Sequence, residues 1–400
     1  MKTLYLTLLI GISCFTAYAQ SAGQLDYTFN STGFHSLSPG IMHDNLNAVG
    51  VQSDQKIIGF GMTMSEGTFN FDLCLVRLKP NGAIDSTFAT DGYFKYDHAG
   101  ESDFIYDGVI LPDDKILACG AVSNSADDTE IMLLRLNSDG TLDNTFGGGD
   151  GMAIHTINTG QDYANSLVVL SDGSIMIVGS TAAPGMLTTR GLIMKFDELG
   201  EVDENYGFNG YSILAYGTDS DIFKSMVVMP DGGLMVVGYS SINFSNVGWV
   251  CKVDAEGALD STFGTSGHYI YDSGIAAFSD IEYYGTRYVV CGNRFFGSED
   301  AVLIALEADG SLSTSFGTNG EAVIDIDEAD ATNKLFIDDQ GGLIVAGSAG
   351  PSFFERNALV FRLDADGVLD PNFGQSEFSI CPLPTTLMSF LALLSKRILN

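Results

Sequence analysis

Proline is scarce in this chain, with 9 residues in 400 against 47 glycines. Proline-rich spacers are therefore excluded, and the breaks between elements must be tight glycine turns. No HExxH, GxSxG or P-loop phrase occurs, so the signatures of zinc peptidases, serine hydrolases and phosphate-cradling loops are missing. Basic residues are few: 18 Lys and Arg stand against 51 Asp and Glu, a formal net charge of −33. Such a surface repels phosphate backbones and anionic bilayers, which argues against nucleic acid as a partner. Beyond the N-terminal segment no stretch has 18 continuous apolar residues, so no membrane insertion is expected. Cysteine is sparse and shows no CxxC or Cys/His ligand spacing. Cys74, Cys119, Cys251 and Cys291 sit inside apolar runs and read as buried, unpaired residues, with Cys381 near the tail.

What is present is a core-forming composition, 45% hydrophobic and 17% charged, which is far from that of a disordered chain. The N-terminus, MKTLYLTLLIGISCFTAYAQ, has a basic residue, an apolar stretch and the small-residue site Ala17-Tyr18-Ala19. Residues 1–19 read as a secretory signal peptide, and the mature protein as secreted, extracellular or on the outer cell surface.

One phrase recurs seven times: LDYTF at 25–29, IDSTF at 84–88, LDNTF at 142–146, VDENY at 202–206, LDSTF at 259–263, LSTSF at 312–316 and LDPNF at 369–373. The closing aromatics, Phe29, Phe88, Phe146, Tyr206, Phe263, Phe316 and Phe373, are 59, 58, 60, 57, 53 and 57 residues apart. Between them lie β-rich runs such as QKIIGFG, DKILACG and GSIMIVG, ending at Gly61, Gly120 and Gly179, and runs such as LCLVRL and IMLLRL. Each unit carries about four short strands and no convincing helix. The expected fold is all-β: a β-propeller of six four-stranded blades from ~57-residue repeats, with seven blades possible. A ring is preferred to an open solenoid because closure removes exposed strand edges. Read in chain order, the phrase falls between the last strand of one blade and the first of the next.

These units resemble the delta-60 repeat, a β-propeller repeat family of secreted bacterial proteins, and the LDxTFGxxG phrase carries the resemblance over residues 21–374. The resemblance implies a propeller and, often, a C-terminal type IX secretion sorting domain; it implies no established enzymatic activity. Residues 20–377 then form the propeller. Residues 378–400 have no acidic residue, and their apolar run at 387–394 is too short to span a bilayer. They do not read as that sorting domain and are taken as a truncated or frame-shifted remnant of a sorting region.

Within the phrase, Asp85, Asp143, Asp260 and Asp370 suit a turn-capping role, and Phe88, Phe146, Phe263 and Phe373 supply apolar wedges. In five units a cation stands eight residues before the phrase Asp: Arg77 before Asp85, Arg135 before Asp143, Lys195 before Asp203, Lys252 before Asp260 and Arg362 before Asp370. The fifth unit loses both partners together, as Ala305 and Ser313, which points to a repeated ion pair.

Three readings of function follow. Asp44, Asp103, Asp162, Asp221 and Asp330 recur 17 residues before the glycine closing each second run, and a carboxylate ring could hold Ca²⁺. In the fifth unit the same count lands on Ile275. The loops after those glycines vary most and carry Phe69, Phe244, Phe295, Phe296, Phe353 and Phe354, which could stack on a polysaccharide or anchor a surface protein. The leading expectation is a monomeric binding scaffold. The alternatives are a carbohydrate-active enzyme using a carboxylate pair such as Asp103 with Asp162, and a structural module of an envelope protein.

Overall fold

The structure, a computed structural model, describes residues 22–381 apart from 41–42, 66–68, 126–127, 158–159, 183–187, 353–354 and 375–377. Among the described residues every regular element is a β-strand. β1 (Asp44–Val51), β2 (Ile57–Met64), β3 (Phe71–Leu78) and β4 (Tyr93–Tyr96) pair antiparallel in sequence order. The same run of four recurs in β5 (Phe104–Ile110), β6 (Ile116–Ser125), β7 (Asp128–Leu136) and β8 (Met152–His155), and in β9 (Gln161–Val169), β10 (Ile175–Ala182), β11 (Arg190–Phe196) and β12 (Tyr211–Leu214). It continues in β13 (Asp221–Val228), β14 (Leu234–Ile242), β15 (Ser245–Val253) and β16 (His268–Tyr271), then in β17 (Ile275–Tyr284), β18 (Arg287–Phe295), β19 (Glu299–Leu306) and β20 (Glu321–Ile324). β21 (Ala329–Ile337), β22 (Leu343–Ser352), β23 (Glu355–Leu363) and β24 (Phe378–Cys381) close the series. Single parallel bridges, Thr129 to Gln161 and Glu299 to Ala329, fuse two pairs of runs into eight-stranded sheets.

The pairing changes the expected order of strands. The strand after each of the six later phrases turns back onto the strand before it: β4 pairs with β3, β8 with β7 and β16 with β15, for example. The phrase is thus the connection between the third and fourth strands of one run, rather than the link between runs that chain order suggested. A short strand flanked by two long neighbours has no local signal for which of them it joins.

The core lies between consecutive runs. Ile58 and Phe60 of β2 pack with Ile105, Ile116 and Leu134 of the next run, and four further apolar clusters each draw on two successive runs. The first strands β1, β5, β9, β13, β17 and β21 lie side by side in that order, and no comparable contact joins β21 to β1. Each first strand carries one extra residue, at Asn47, Tyr106, Asn165, Lys224, Ser279 and Asn333. Such bulges bend the strand and sharpen its twist.

Candidate functional site

The recurring phrase makes a joint. Its backbone docks on the turn of the following run: the amide of Ala89 donates to the Asp139 carbonyl at 2.8 Å, Gly147 to Leu199 at 3.0 Å and Gly207 to Glu256 at 2.9 Å. Its aromatic ring slides beneath the glycine of that turn. A methyl group built on Gly140 would lie 2.7 Å from the Phe88 ring, and one on Gly200 would lie 2.6 Å from Phe146. Both glycines also sit at φ near +90°, where an L side chain is strained. Phe88, Phe146, Phe263 and Phe373 are all buried, and each wedge contributes roughly 1.5–3 kcal/mol of transfer free energy.

Cation and carboxylate meet in all five units that carry both. Arg77 lies 2.9 Å from Asp85, Arg135 2.7 Å from Asp143, Lys195 3.1 Å from Asp203, Lys252 2.8 Å from Asp260 and Arg362 2.7 Å from Asp370. The arginines reach further. Arg77 covers the Phe88 ring at 4.8 Å and donates to the Ser138 carbonyl of the next run at 2.5 Å. Arg135 does the same over Phe146 at 4.4 Å and onto Glu198 at 2.6 Å. One guanidinium therefore ties a phrase, a ring and the neighbouring run together.

The recurrent aspartates stand at or beside the start of the first strands and lock the preceding loop. Asp44 accepts from the Gly40 amide at 3.0 Å and the Thr63 hydroxyl at 2.6 Å. Asp103 accepts from the amides of His98 and Ser123, and Asp162 from the Ile157 amide and the Thr181 hydroxyl. Asp221 accepts from the Gly217 amide and the Ser240 hydroxyl, and Asp330 from the amides of Ile326 and Asp327. Burial pushes the carboxyls of Asp103 and Asp330 above their ordinary range, against the pull of those amides. Among the described residues no group of three His, Cys, Asp or Glu is placed to hold a metal ion. In the fifth run the strand register puts Ala276, opposite Arg294, where the others carry Asp. Counting residues lands on Ile275 instead, because the β17–β18 turn is one residue shorter.

The cross-strand bonds from Asp44 to Thr63 and from Asp221 to Ser240 set the tips of the β2–β3 type hairpins at the same end as these aspartates. There Phe69, Phe244 and Phe296 are 67%, 95% and 80% exposed, and Phe295 is 41% exposed. Phe353 and Phe354 lie outside the described residues. Phe69 and Phe244 hold φ of 61° and 63°, which is costly for a bulky residue. Asn243 and Phe244 form the two-residue turn between β14 and β15, both at positive φ, so Phe stands where such turns prefer Gly. In the fifth run, Ile275 is exposed and pairs across the sheet with Phe295.

Residues of all six first strands line a central channel of 450 Å³, among them Asn47, Asp107, Ser166, Ser225, Asp280 and Lys334. Sequence reading missed this ring; the signal was a polar residue just past the bulge in five of the six runs, at Asp107, Ser166, Ser225, Asp280 and Lys334. Asp107 accepts from the Ser166 hydroxyl at 2.8 Å and the Leu167 amide at 3.2 Å. Asp280 accepts from Ser225 at 2.5 Å and the Leu335 amide at 2.9 Å, with the Lys334 ammonium at 3.7 Å. Burial works against the Lys334 charge, but Asp280 and Asp107 hold its pKa above the ordinary lysine value. The candidate pair Asp103 and Asp162 is elsewhere: both carboxylates are fully buried in their own loop locks. Cys74, Cys119, Cys251 and Cys291 are buried free thiols, and burial pushes the Cys74 and Cys291 thiols up to about 12.

Residues 52–88 and 111–146 match the family model described as "Domain of unknown function (DUF5122) beta-propeller", so the chain carries repeats of a β-propeller family. No curated protein sequence matches the chain. Among solved structures it is similar to the Penicillium chrysogenum alpha-L-arabinanase complexed with arabinobiose, at 12% identity over 82% of this chain and 95% of that one, with a TM-score of 0.49. It is also similar to an alpha-l-arabinofuranosidase from Fusarium graminearum, at 10% identity over 82% and 95%, TM-score 0.46. The β-propeller domain of the Trilobed protease from Pyrococcus furiosus matches at 11% identity over 82% of each chain, TM-score 0.39.

Proposed function

We infer that this chain is a secreted or cell-surface binding module, a propeller whose six runs of four strands are six blades, and that it recognises its ligand through the hairpin tips. The observation that carries the reading is Phe244. It is almost fully exposed and is held at φ 63° in a turn that would be relaxed with glycine. Strain kept at an exposed aromatic is a mark of a surface under functional constraint. Phe69 repeats the pairing of exposure and positive φ in the first unit. Ile275, Phe295 and Phe296 add an apolar patch in the fifth, the unit that has given up its aspartate lock.

The ligand is a polysaccharide. Flat exposed rings stack on sugar faces, and the acidic chain selects neutral or cationic polymers over anionic ones. The channel carboxylates support the enzyme reading less well. Asp107 and Asp280 each accept bonds from neighbouring strands, so their oxygens serve the scaffold.

The test is a polysaccharide array probed with the mature chain, residues 20–400, with and without Ca²⁺. Binding to neutral or cationic polymers that is lost in the triple variant Phe69→Ala/Phe244→Ala/Phe296→Ala supports the reading. Binding unchanged by the triple variant, or no binding to any polymer, overturns it.

A further inference from the structure

The few cations of this acidic chain are nearly all engaged. Of its 18 Lys and Arg, all but Lys2, Lys396 and Arg397 lie among the described residues. Eleven of those fifteen meet a carboxylate. Lys95 and Arg287 bond backbone carbonyls instead, and Lys79 stands exposed on a turn. Lys224 is the exception. It lies within a strand of the channel wall, and among the described residues its ammonium has no acceptor.

Lys224 is the extra residue of the β13 bulge, next to Ser225 of the channel ring. Asn47, the corresponding residue of β1, lines the channel as well. At three other bulges a short side chain clips one first strand to the next: Asn47 donates to the Ile105 carbonyl at 2.6 Å, Asn165 to Phe223 at 2.7 Å and Ser279 to Thr332 at 2.7 Å. Lys224 makes no such clip. Apart from Gln161 and Ile275, which begin their strands, it is the one exposed residue in the six first strands. Burial nevertheless holds its ammonium below the ordinary lysine value, and no carboxylate offsets that. A side chain open to water yet hemmed by protein projects into a lumen. A lysine that reached bulk solvent would keep its ordinary value.

The wall leading away from it is aromatic. Tyr106, the bulge residue of β5, stacks on Phe104 at 5.9 Å and meets Tyr163 of β9 edge-on at 6.3 Å. Both tyrosines are half-buried, and among the described residues neither hydroxyl has a hydrogen-bond partner. β5, β9 and β13 are consecutive first strands lying side by side. Two unengaged phenols and one unengaged ammonium therefore share one stretch of wall. The channel they belong to, 450 Å³, falls within the range of small-molecule sites, roughly 300–1,000 Å³.

A charge held against protein walls without a counter-charge is costly, and an anion relieves that cost. Sugars offer flat faces to aromatic rings and hydroxyls to phenols. We propose that the bulge layer of the channel binds a small sugar acid, a hexuronate, whose carboxylate pairs with Lys224 and whose ring and hydroxyls meet Tyr106 and Tyr163. The acidic surface repels polyanions but is a small obstacle to a single carboxylate, because its field is screened beyond about 8 Å in physiological salt. Deeper in the channel the Lys334 charge is already met by Asp280, which leaves Lys224 to the ligand. The site is separate from the hairpin tips and stands whether or not those bind a polymer.

The test is isothermal titration calorimetry of the mature chain, residues 20–400, with glucuronate, glucose and benzoate, circular dichroism establishing that each variant is folded. Glucuronate should bind on the order of 10-fold more tightly than glucose or benzoate. Lys224→Met should remove that advantage, Lys224→Arg should keep most of it, and Lys79→Met, which removes the other unpaired cation, should change nothing. No binding of glucuronate, or equal binding of glucuronate and glucose, overturns the proposal. So does glucuronate binding that Lys224→Met leaves unchanged or that Lys79→Met weakens as much, which would make it a diffuse charge effect. Benzoate bound as tightly as glucuronate overturns the sugar acid as the ligand class.

Discussion

Arg287 lies 5.4 Å over the ring of Phe316 and donates to the Ser315 hydroxyl at 3.2 Å and to the Ala365 carbonyl. It stands at the start of β18, in the fifth unit, where Ala305 and Ser313 replace the ion pair of the other units. The cation has not been lost there. It has moved to the neighbouring strand, to the place held by Lys56 and Lys115 in the first two units. It still bridges its own phrase to the next run, as Arg77 and Arg135 do.

That relationship predicts unequal costs. Arg135 and Asp143 are nearly buried, with side chains 10% and 4% exposed. Arg135→Ala leaves the carboxylate with only Lys115 as a charged partner, and should cost about 3 kcal/mol. Arg287→Ala has no buried carboxylate to strand and should cost about 1 kcal/mol. Urea denaturation followed by the fluorescence of Trp249, the single tryptophan, measures both. Equal costs would mean that the carboxylate adds nothing.

The same pairs set the acid limit. Burial alone would raise Asp143, but bonds from Thr145, Lys115 and Arg135 hold it well below the carboxylate range. Lys252 and Thr262 hold Asp260 at about 2, from an ordinary 3.8. A depressed folded pKa contributes stability that is present above the unfolded value and lost as pH falls through the folded one. Stability should therefore hold down to about pH 4 and fall between about pH 4 and 2. Circular dichroism at a fixed sub-denaturing urea concentration reads this, and Asp143→Asn together with Asp260→Asn should flatten that fall.

Much of this was legible in the sequence because repetition at fixed spacing is hard to disguise. The phrase, the glycine-ended runs between its copies and the cation eight residues before five of its Asp needed no structure. What escaped had specific physical causes. The strand after the phrase, such as Tyr93–Tyr96, can pair on either side, and nothing local decides which. The aspartate position of the fifth unit was misplaced by one residue because a turn had shortened. Arg287 was invisible as a substitute because it comes from a different strand. The channel ring of Asp107, Asp280 and Lys334 depends on a bulge, which a count of residues does not reveal.

The aspartate lock of the sixth unit is incomplete, and the strand register says why. Thr63, Thr181 and Ser240 face Asp44, Asp162 and Asp221 across the sheet, whereas Ala349 faces Asp330. One buried oxygen of Asp330 is left without a partner. Ala349→Ser should supply the missing hydroxyl, raise stability by about 1 kcal/mol and bring the Asp330 carboxyl down toward its usual range. Thermal unfolding checks the first effect, and carboxylate NMR titration the second. An unchanged melting temperature would mean that water already satisfies that oxygen.

The hairpin of β14 and β15 sets stability against function. Phe244 makes an exposed contact surface at a left-handed backbone position, and glycine takes that conformation without steric cost. Phe244→Gly should therefore stabilise the protein by about 1 kcal/mol while weakening polysaccharide binding. A ring that merely packed against its own sheet would give the opposite result, because removing it would cost burial energy. Differential scanning calorimetry and affinity electrophoresis on the same variant separate the two. Higher stability with unchanged affinity would leave the strain at Phe244 without a role in binding, and would move the search for the contact surface to Phe69 and the Phe295–Phe296 tip.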